Sequence, residues 1–269
     1  MNPENVQILI TRYLDDGFED TVYMAQIVNT LPFIDTSALI CSLLKSSNYE
    51  TFSITALFIR DVILYGNRNK DCYQFISKYP ESSIVTTLEE LVFSHNYFIR
   101  DEAIYTLGKT CSYNSKNKLR QAFDRFRDSD PLLLTKLLNE MQWLGVENSE
   151  NCIEQMANSF SYLTRWAAVQ YIKQSGNIFP SWVEILRRDN HKLVRTETEY
   201  EYRTTLEIID KKVLSKVQQR QRSKEIKKIK PLILFQTVQG QFLSYLFHNG
   251  INGYSVTDLE NYIDRVILS

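Results

Sequence analysis

Glycine and proline are scarce, at eight and six in 269 residues. Such sparse punctuation argues against many short strands joined by tight turns and favours helices with short connections. Cysteine and histidine are scarce too. Cys41, Cys72, Cys111 and Cys152 are 31, 39 and 41 residues apart, with no C-x-x-C pair, and the three histidines stand far from one another. No zinc site can be assembled from that spacing, and the thiols are expected to be reduced core residues of a cytoplasmic protein. Phosphate-loop, dinucleotide, zinc-protease and nucleophile-elbow signatures are all missing. The acid pairs Asp15-Asp16 and Glu89-Glu90 are adjacent in sequence and diverge on a helix, while Cys111 and His95 have nothing to bring them together. No catalytic residue, metal or cofactor is assigned. No apolar run approaches the roughly 18 to 20 residues that cross a bilayer, and the first residues lack a basic leader, so no membrane association is expected. A net charge of −1 gives the whole chain no preference for polyanions.

What the chain does have is a repeated frame. "SHNYFIRDEAIYTL" (94–107) lies over "SFSYLTRWAAVQYI" (159–172): a polar start, Tyr, Arg three residues on, Ala three further, then a β-branched and an aliphatic residue. "SSNYETFSITALFI" (46–59) and "DSDPLLLTKLLNEM" (128–141) fit the same frame. "DDGFEDTVYMAQIV" (15–28) fits loosely, and "DNHKLVRTETEYEY" (189–202) keeps only its beginning. The starts at 15, 46, 94, 128, 159 and 189 are 31, 48, 34, 31 and 30 residues apart, which leaves room for an insertion at 66–80. A period near 30 residues marks stacked supersecondary units. The third frame position is Gly17, Asn48, Asn96, Asp130, Ser161 or His191, mostly helix N-cap types. Apolar residues then follow at i, i+1 and i+4 (Ala103, Ile104, Leu107), one stripe of a helix. Other helices fall between these, so each unit is a helix pair.

The polar turn, the β-branched residue before Arg and the small residue three further on resemble HEAT-like repeats, in the short form also found in phycobilin lyases. The resemblance covers roughly residues 15–205. It implies an all-α right-handed superhelix over 1–205, followed by a basic helix over 206–230 and a helical hairpin over 231–269 as C-terminal cap. It further implies a non-enzymatic scaffold that binds another protein along its concave face. Arg100, Asp101, Tyr105, Arg165, Trp166, Gln170 and Arg195 are the candidate contacts. Arg100 also has a structural role available, lining its repeat turn, and Trp166 can equally pack between units. Lyase-like chromophore attachment is an alternative, for which Asp101, Tyr105, Arg165 and Trp166 fall on or beside positions expected to be exposed. The acidic stack counts against a resemblance to the helical-repeat alkylpurine DNA glycosylases.

Two stretches depart from the frame. Thr196–Arg203 alternates with period two and is either a strand or a polar terminal helix. Residues 211–230 carry nine basic residues against Glu225 alone, and 184–230 carry 14 basic against 8 acidic. A helix there, with a thin apolar line through Val213, Leu214 and Val217, is either solvated or binds nucleic acid or another polyanion. Lys211, Lys212, Lys216, Arg220 and Arg222 are its candidate contacts. Beyond it, His248-Asn249-Gly250 ends one helix and Ser255 with Asp258 starts another. A hairpin is favoured over a winged-helix DNA reader there, because the final helix is acidic.

Overall fold

A computed structural model describes residues 3–145, 149–175, 180–210, 215–229 and 233–267, and among these residues there is no strand. The chain forms two compact units, residues 1–124 with 140–147 and residues 125–139 with 148–269. The first holds α1 (Pro3–Thr11), α2 (Tyr13–Asp16), α3 (Thr21–Asn29), α4 (Phe33–Leu44), α5 (Tyr49–Tyr65), α6 (Tyr73–Lys78), α7 (Ser83–Leu91), α8 (Tyr97–Lys109) and most of α9 (Lys116–Phe126). Helix α10 (Pro131–Trp143) has residues in both. The second holds α11 (Ser149–Ala157), α12 (Tyr162–Ser175), α13 (Pro180–Arg187), α14 (Lys192–Asp210), α15 (Lys216–Ile229), α16 (Phe235–His248) and α17 (Val256–Tyr262).

Neighbours pair within each unit: α4 with α5 and α7 with α8, then α11 with α12 and α13 with α14. Like helices also touch. Helix α4 packs on α7 and α5 on α8, as α11 does on α13 and α12 on α14. The apolar frame positions lie in the core. Thr55, Ala56, Ile59, Ala103, Ile104, Leu107, Leu137, Leu138 and Met141 are all buried, each contributing apolar area removed from water. Gly108 permits one close approach, since a Cβ there would fall 2.6 Å from the Cβ of Glu140 on α10.

The polar frame positions close the turns. Asn48 Oδ1 accepts from the amides of Glu50 and Thr51, and Asn96 Oδ1 from those of Phe98 and Ile99. The first frame residue does a second job: Ser46, Ser94 and Ser159 Oγ and Asp189 Oδ1 accept the amides of Asn48, Asn96, Ser161 and His191 at 2.7–3.2 Å. Asn48 and Asn96 therefore satisfy donors that a helix start leaves open, whereas Ser161 Oγ and His191 Nδ1 are buried without a hydrogen-bond partner and do not act as the caps expected of them. Asn96→Ala should cost about 1 kcal/mol in denaturant unfolding of the first unit. No change in its midpoint would mean that the cap carries no stability.

The loosely fitting first frame is corrected at its cap. Helix α3 begins after Asp20, whose side chain accepts from Val22 and Tyr23. Gly17 is instead where the Tyr23 ring lands, and a Cβ there would sit 2.1 Å from a ring carbon. Asp is the stronger cap. The expected insertion is a run of short 3-10 turns around α6. It ties back to α3 through Asn69 Nδ2 to Thr21 O (3.0 Å) and Asn29 Nδ2 to Asp71 O (2.8 Å).

Thr196–Arg203 lies inside α14, so the helix alternative holds and the strand does not. The turn at 189–191 starts the helix and its register carries through, while Glu197 and Glu201, four residues apart, share one side. Helix α15 starts at Lys216, and Lys211, Lys212, Val213 and Leu214 lie outside the described residues. The expected apolar line is not its packing face, because Val217 is 73% exposed. Its covered side runs through Gln219, Arg222 and Ile226. At the C-terminal end Gly250 takes the left-handed φ of 66° after α16, and Ser255 with Asp258 forms the capping box. No single helix among the described residues is long and apolar enough to cross a membrane.

Candidate functional site

The frame arginine is first a clamp on its own turn. Arg100 Nη1 donates to Ser94 O (2.7 Å) and His95 O (3.0 Å), and Arg165 Nη1 donates to Ser159 O (2.7 Å) and Phe160 O (3.0 Å). Arg195 Nη1 donates to Asp189 O. In each case the guanidinium closes a ring over carbonyls five or six residues back. Arg165 reaches further, gripping Asp189 of the following turn with Nε and Nη2 at 2.6 and 3.1 Å. Such a two-point pair is geometrically specific. Arg100 is buried and the Arg165 side chain is 12% exposed, contrary to the exposure expected of Arg165.

Trp166 and Gln170 are also interior, at 0% and 1% exposed. Trp166 takes the packing alternative: its ring stands edge-on to Phe235 of α16 at 5.4 Å, and Nε1 donates to Glu197 Oε2. That same oxygen accepts the Phe235 amide at 2.9 Å. Burial pushes the Glu197 carboxyl up to about 7, against the two donors that favour its ionised form. Glu197 Oε1 and Gln170 Oε1 are buried without hydrogen-bond partners. One turn along, Lys173 pairs with Glu201 at 2.9 Å. This polar seam between α12 and α14 escaped sequence reasoning, since Glu197 sits in a charge-rich stretch that reads as solvated.

The first unit carries a different row, and it reaches solvent. Arg60 of α5 pairs with Glu102 of α8, donates to Thr106 Oγ1 at 2.8 Å and lies over the Tyr105 ring at 4.9 Å. Lys109 then sits between two rings, 5.3 Å from Tyr105 and 4.9 Å from Trp143, with Glu140 at 3.4 Å. Cation and ring alternate across three helices. Trp143 at its end is 62% exposed, and Tyr113, four residues after Lys109, is 58% exposed with Lys116 over its ring at 5.3 Å. Tyr105 and Asp101 are half-buried. Sequence reasoning found Tyr105 and missed Trp143, the last residue of α10, which lies two residues beyond the end of its frame at Met141. Phe160 is fully exposed at the tip of its clamped turn.

The four candidates for chromophore handling are divided, with Asp101 and Tyr105 in the first unit and Arg165 and Trp166 in the second. Of the basic candidates, Lys216 and Arg220 are exposed and Arg222 is half-buried. All four cysteines are free thiols, with Cys72 and Cys152 buried. Among the described residues no three His, Cys, Asp or Glu side chains are grouped to hold a metal. No protein-family model matches the chain, and no curated protein sequence matches it.

Proposed function

We propose that the chain is a non-enzymatic HEAT-like stack of helix pairs. It holds a partner protein along the face carried by the second helix of each pair, which in the first unit is α5, α8 and the end of α10 from Glu140 to Trp143. The pairing of like helices within each unit and the clamped turns support the repeat reading. One observation carries the binding reading. Trp143, the largest side-chain type, stands 62% exposed beside a lysine held between two rings. Folding does not need an indole in water, whereas interfaces use Trp, Tyr and Arg as anchors. Lys109 is held by Glu140 and the two rings, so little rotamer entropy remains to be lost on docking. Free thiols without a disulfide suit the reducing cytoplasm as the place of work.

The test is affinity purification with tagged wild-type and Trp143→Ala chains, with nuclease and at moderate salt. A partner recovered in stoichiometric amount by the wild type should be lost by Trp143→Ala. In titration with that purified partner the variant should weaken binding by about 2 kcal/mol or more, roughly thirtyfold in Kd. Because the indole is exposed, its circular dichroism should be unchanged. Equal recovery by both chains removes this face from the function.

A further inference from the structure

A second site lies in the second unit, where α13, α14 and α15 meet around a cleft of about 370 Å³ lined by Arg187, Tyr202, Arg203, Arg222, Glu225 and Ile226. Its floor is an ordered charge bridge. The two Glu199 oxygens are divided between two guanidinium groups, Oε2 accepting from Arg187 Nε and Oε1 from Arg203 Nε. Burial works against this carboxylate, but the hydrogen bonds from Arg187 and Arg203 outweigh it and hold its pKa below the usual value. Arg187 is fixed twice more, by Glu184 at 3.2 Å from Nη1 and by the Tyr202 ring 4.5 Å beneath its central carbon.

The outcome is a pair of guanidinium groups held by their Nε edges. Among the described residues, no hydrogen bond is made by Arg203 Nη1 and Nη2 or by Arg187 Nη2. A guanidinium fork carries its donors in one plane, an arrangement that can bond two oxygens of a phosphoryl group at once. Among the described residues, the acids around the cleft are Glu199 and Glu184, both already shared between arginines, and Glu225 on its rim. Helix α15 adds positive charge on its outer side. Lys216, Arg220, Lys224 and Lys227, spaced i, i+4, i+8 and i+11, are all exposed and form one stripe about 16 Å long. Ile226 and Arg222 on the opposite side face the cleft.

We propose that this cleft is a phosphoryl-binding site in which Arg187 and Arg203, held by Glu199, receive the anion and the α15 stripe extends the positive surface beside it. The volume and the two-pronged donor set suit a pyrophosphate-sized group. A free phosphorylated compound and the backbone of a single-stranded nucleic acid both supply that chemistry, and the stripe is what a strand would follow. The site shares no residue with the Trp143 face, so either can fail without the other.

The experiment titrates the full chain with two probes: inorganic pyrophosphate by calorimetry, and a dye-labelled single-stranded oligothymidine by anisotropy at about 50 and 200 mM salt. Arg203→Gln should weaken pyrophosphate at least tenfold. Arg203→Lys, which keeps the charge and loses the fork, should fall between. Circular dichroism confirms that both variants are folded. Lys224→Gln/Lys227→Gln, altering exposed positions alone, should spare pyrophosphate and reduce oligonucleotide affinity together with its salt slope. Binding of both probes with loss in Arg203→Gln assigns the site to a nucleic-acid backbone, and binding of pyrophosphate alone assigns it to a small phosphorylated ligand. No pyrophosphate binding at millimolar concentration, or binding indifferent to Arg203→Gln, overturns the proposal.

Discussion

Glu197→Gln is expected to leave stability nearly unchanged below pH 5 and to raise it by about 3 kcal/mol at pH 8. The sign follows from the direction of the shift. Burial raises the folded-state pKa of Glu197 from 4.5 to about 7. Its contribution is therefore fully present below the unfolded value and is lost as pH rises from about 4.5 through 7. Above that the fold carries an ionised carboxylate with 0% exposure, one of whose oxygens has no hydrogen-bond partner. Gln keeps the shape and the acceptor for Trp166 and Phe235 while removing the charge. Other groups also link stability to pH. Burial lowers His191 and makes the fold lose stability as pH falls, whereas it raises Asp61 in the first unit, with the same sign as Glu197. The quantity to measure is hence the difference between wild type and variant, from urea unfolding across pH 4.5 to 8. A difference that does not change with pH would mean that Glu197 does not titrate in this range.

Trp166→Ala should cost about 3–5 kcal/mol and unfold the second unit at moderate temperature while the first retains its helix signal. The loss has two sources. A fully buried indole leaves a cavity beside Phe235, and Glu197 loses one of the donors to its Oε2. Trp166→Phe separates them, since it refills most of the space and removes only the donor, for about 1–3 kcal/mol. In a double-mutant cycle at pH 8, Trp166→Phe should cost less in the Glu197→Gln background, where the acceptor is neutral. Additive costs would show that the two side chains are packed together without an energetically coupled hydrogen bond.

The repeat was legible where its residues answer to local rules. Small polar residues at turns, an Arg seven places into the frame and apolar pairs on one stripe each follow from the geometry of a helix start and a buried face. Ala103, Ile104 and Leu107 could be placed in the core from spacing alone. The site was less legible because exposure is a property of the packed assembly. Trp166 and Trp143 are the same residue type in helices of the same rank. One is enclosed by α14 and α16, and the other is the exposed last residue of α10. Glu197 was hidden for a similar reason, since alternation with threonine and tyrosine looks the same whether a helix is solvated or covered. The charge of α15 was visible in composition. The cleft beneath it depends on Arg187 and Arg203, which are 16 residues apart in sequence and are joined through Glu199.

The clamped turns also bear on how such a chain can grow. The turns at 94–96 and 159–161 are closed by their own first residue and their own arginine within seven positions. A helix with this start brings its lock with it, so a gene segment encoding it could be duplicated or excised without rewriting distant codons. The grip of Arg165 on Asp189, and the hydroxyl of Ser159 donating to Asp128 Oδ1 at 2.6 Å, break that independence at two junctions. There successive turns are married, and the stretch from 128 to 191 would have to be inherited as a single cassette.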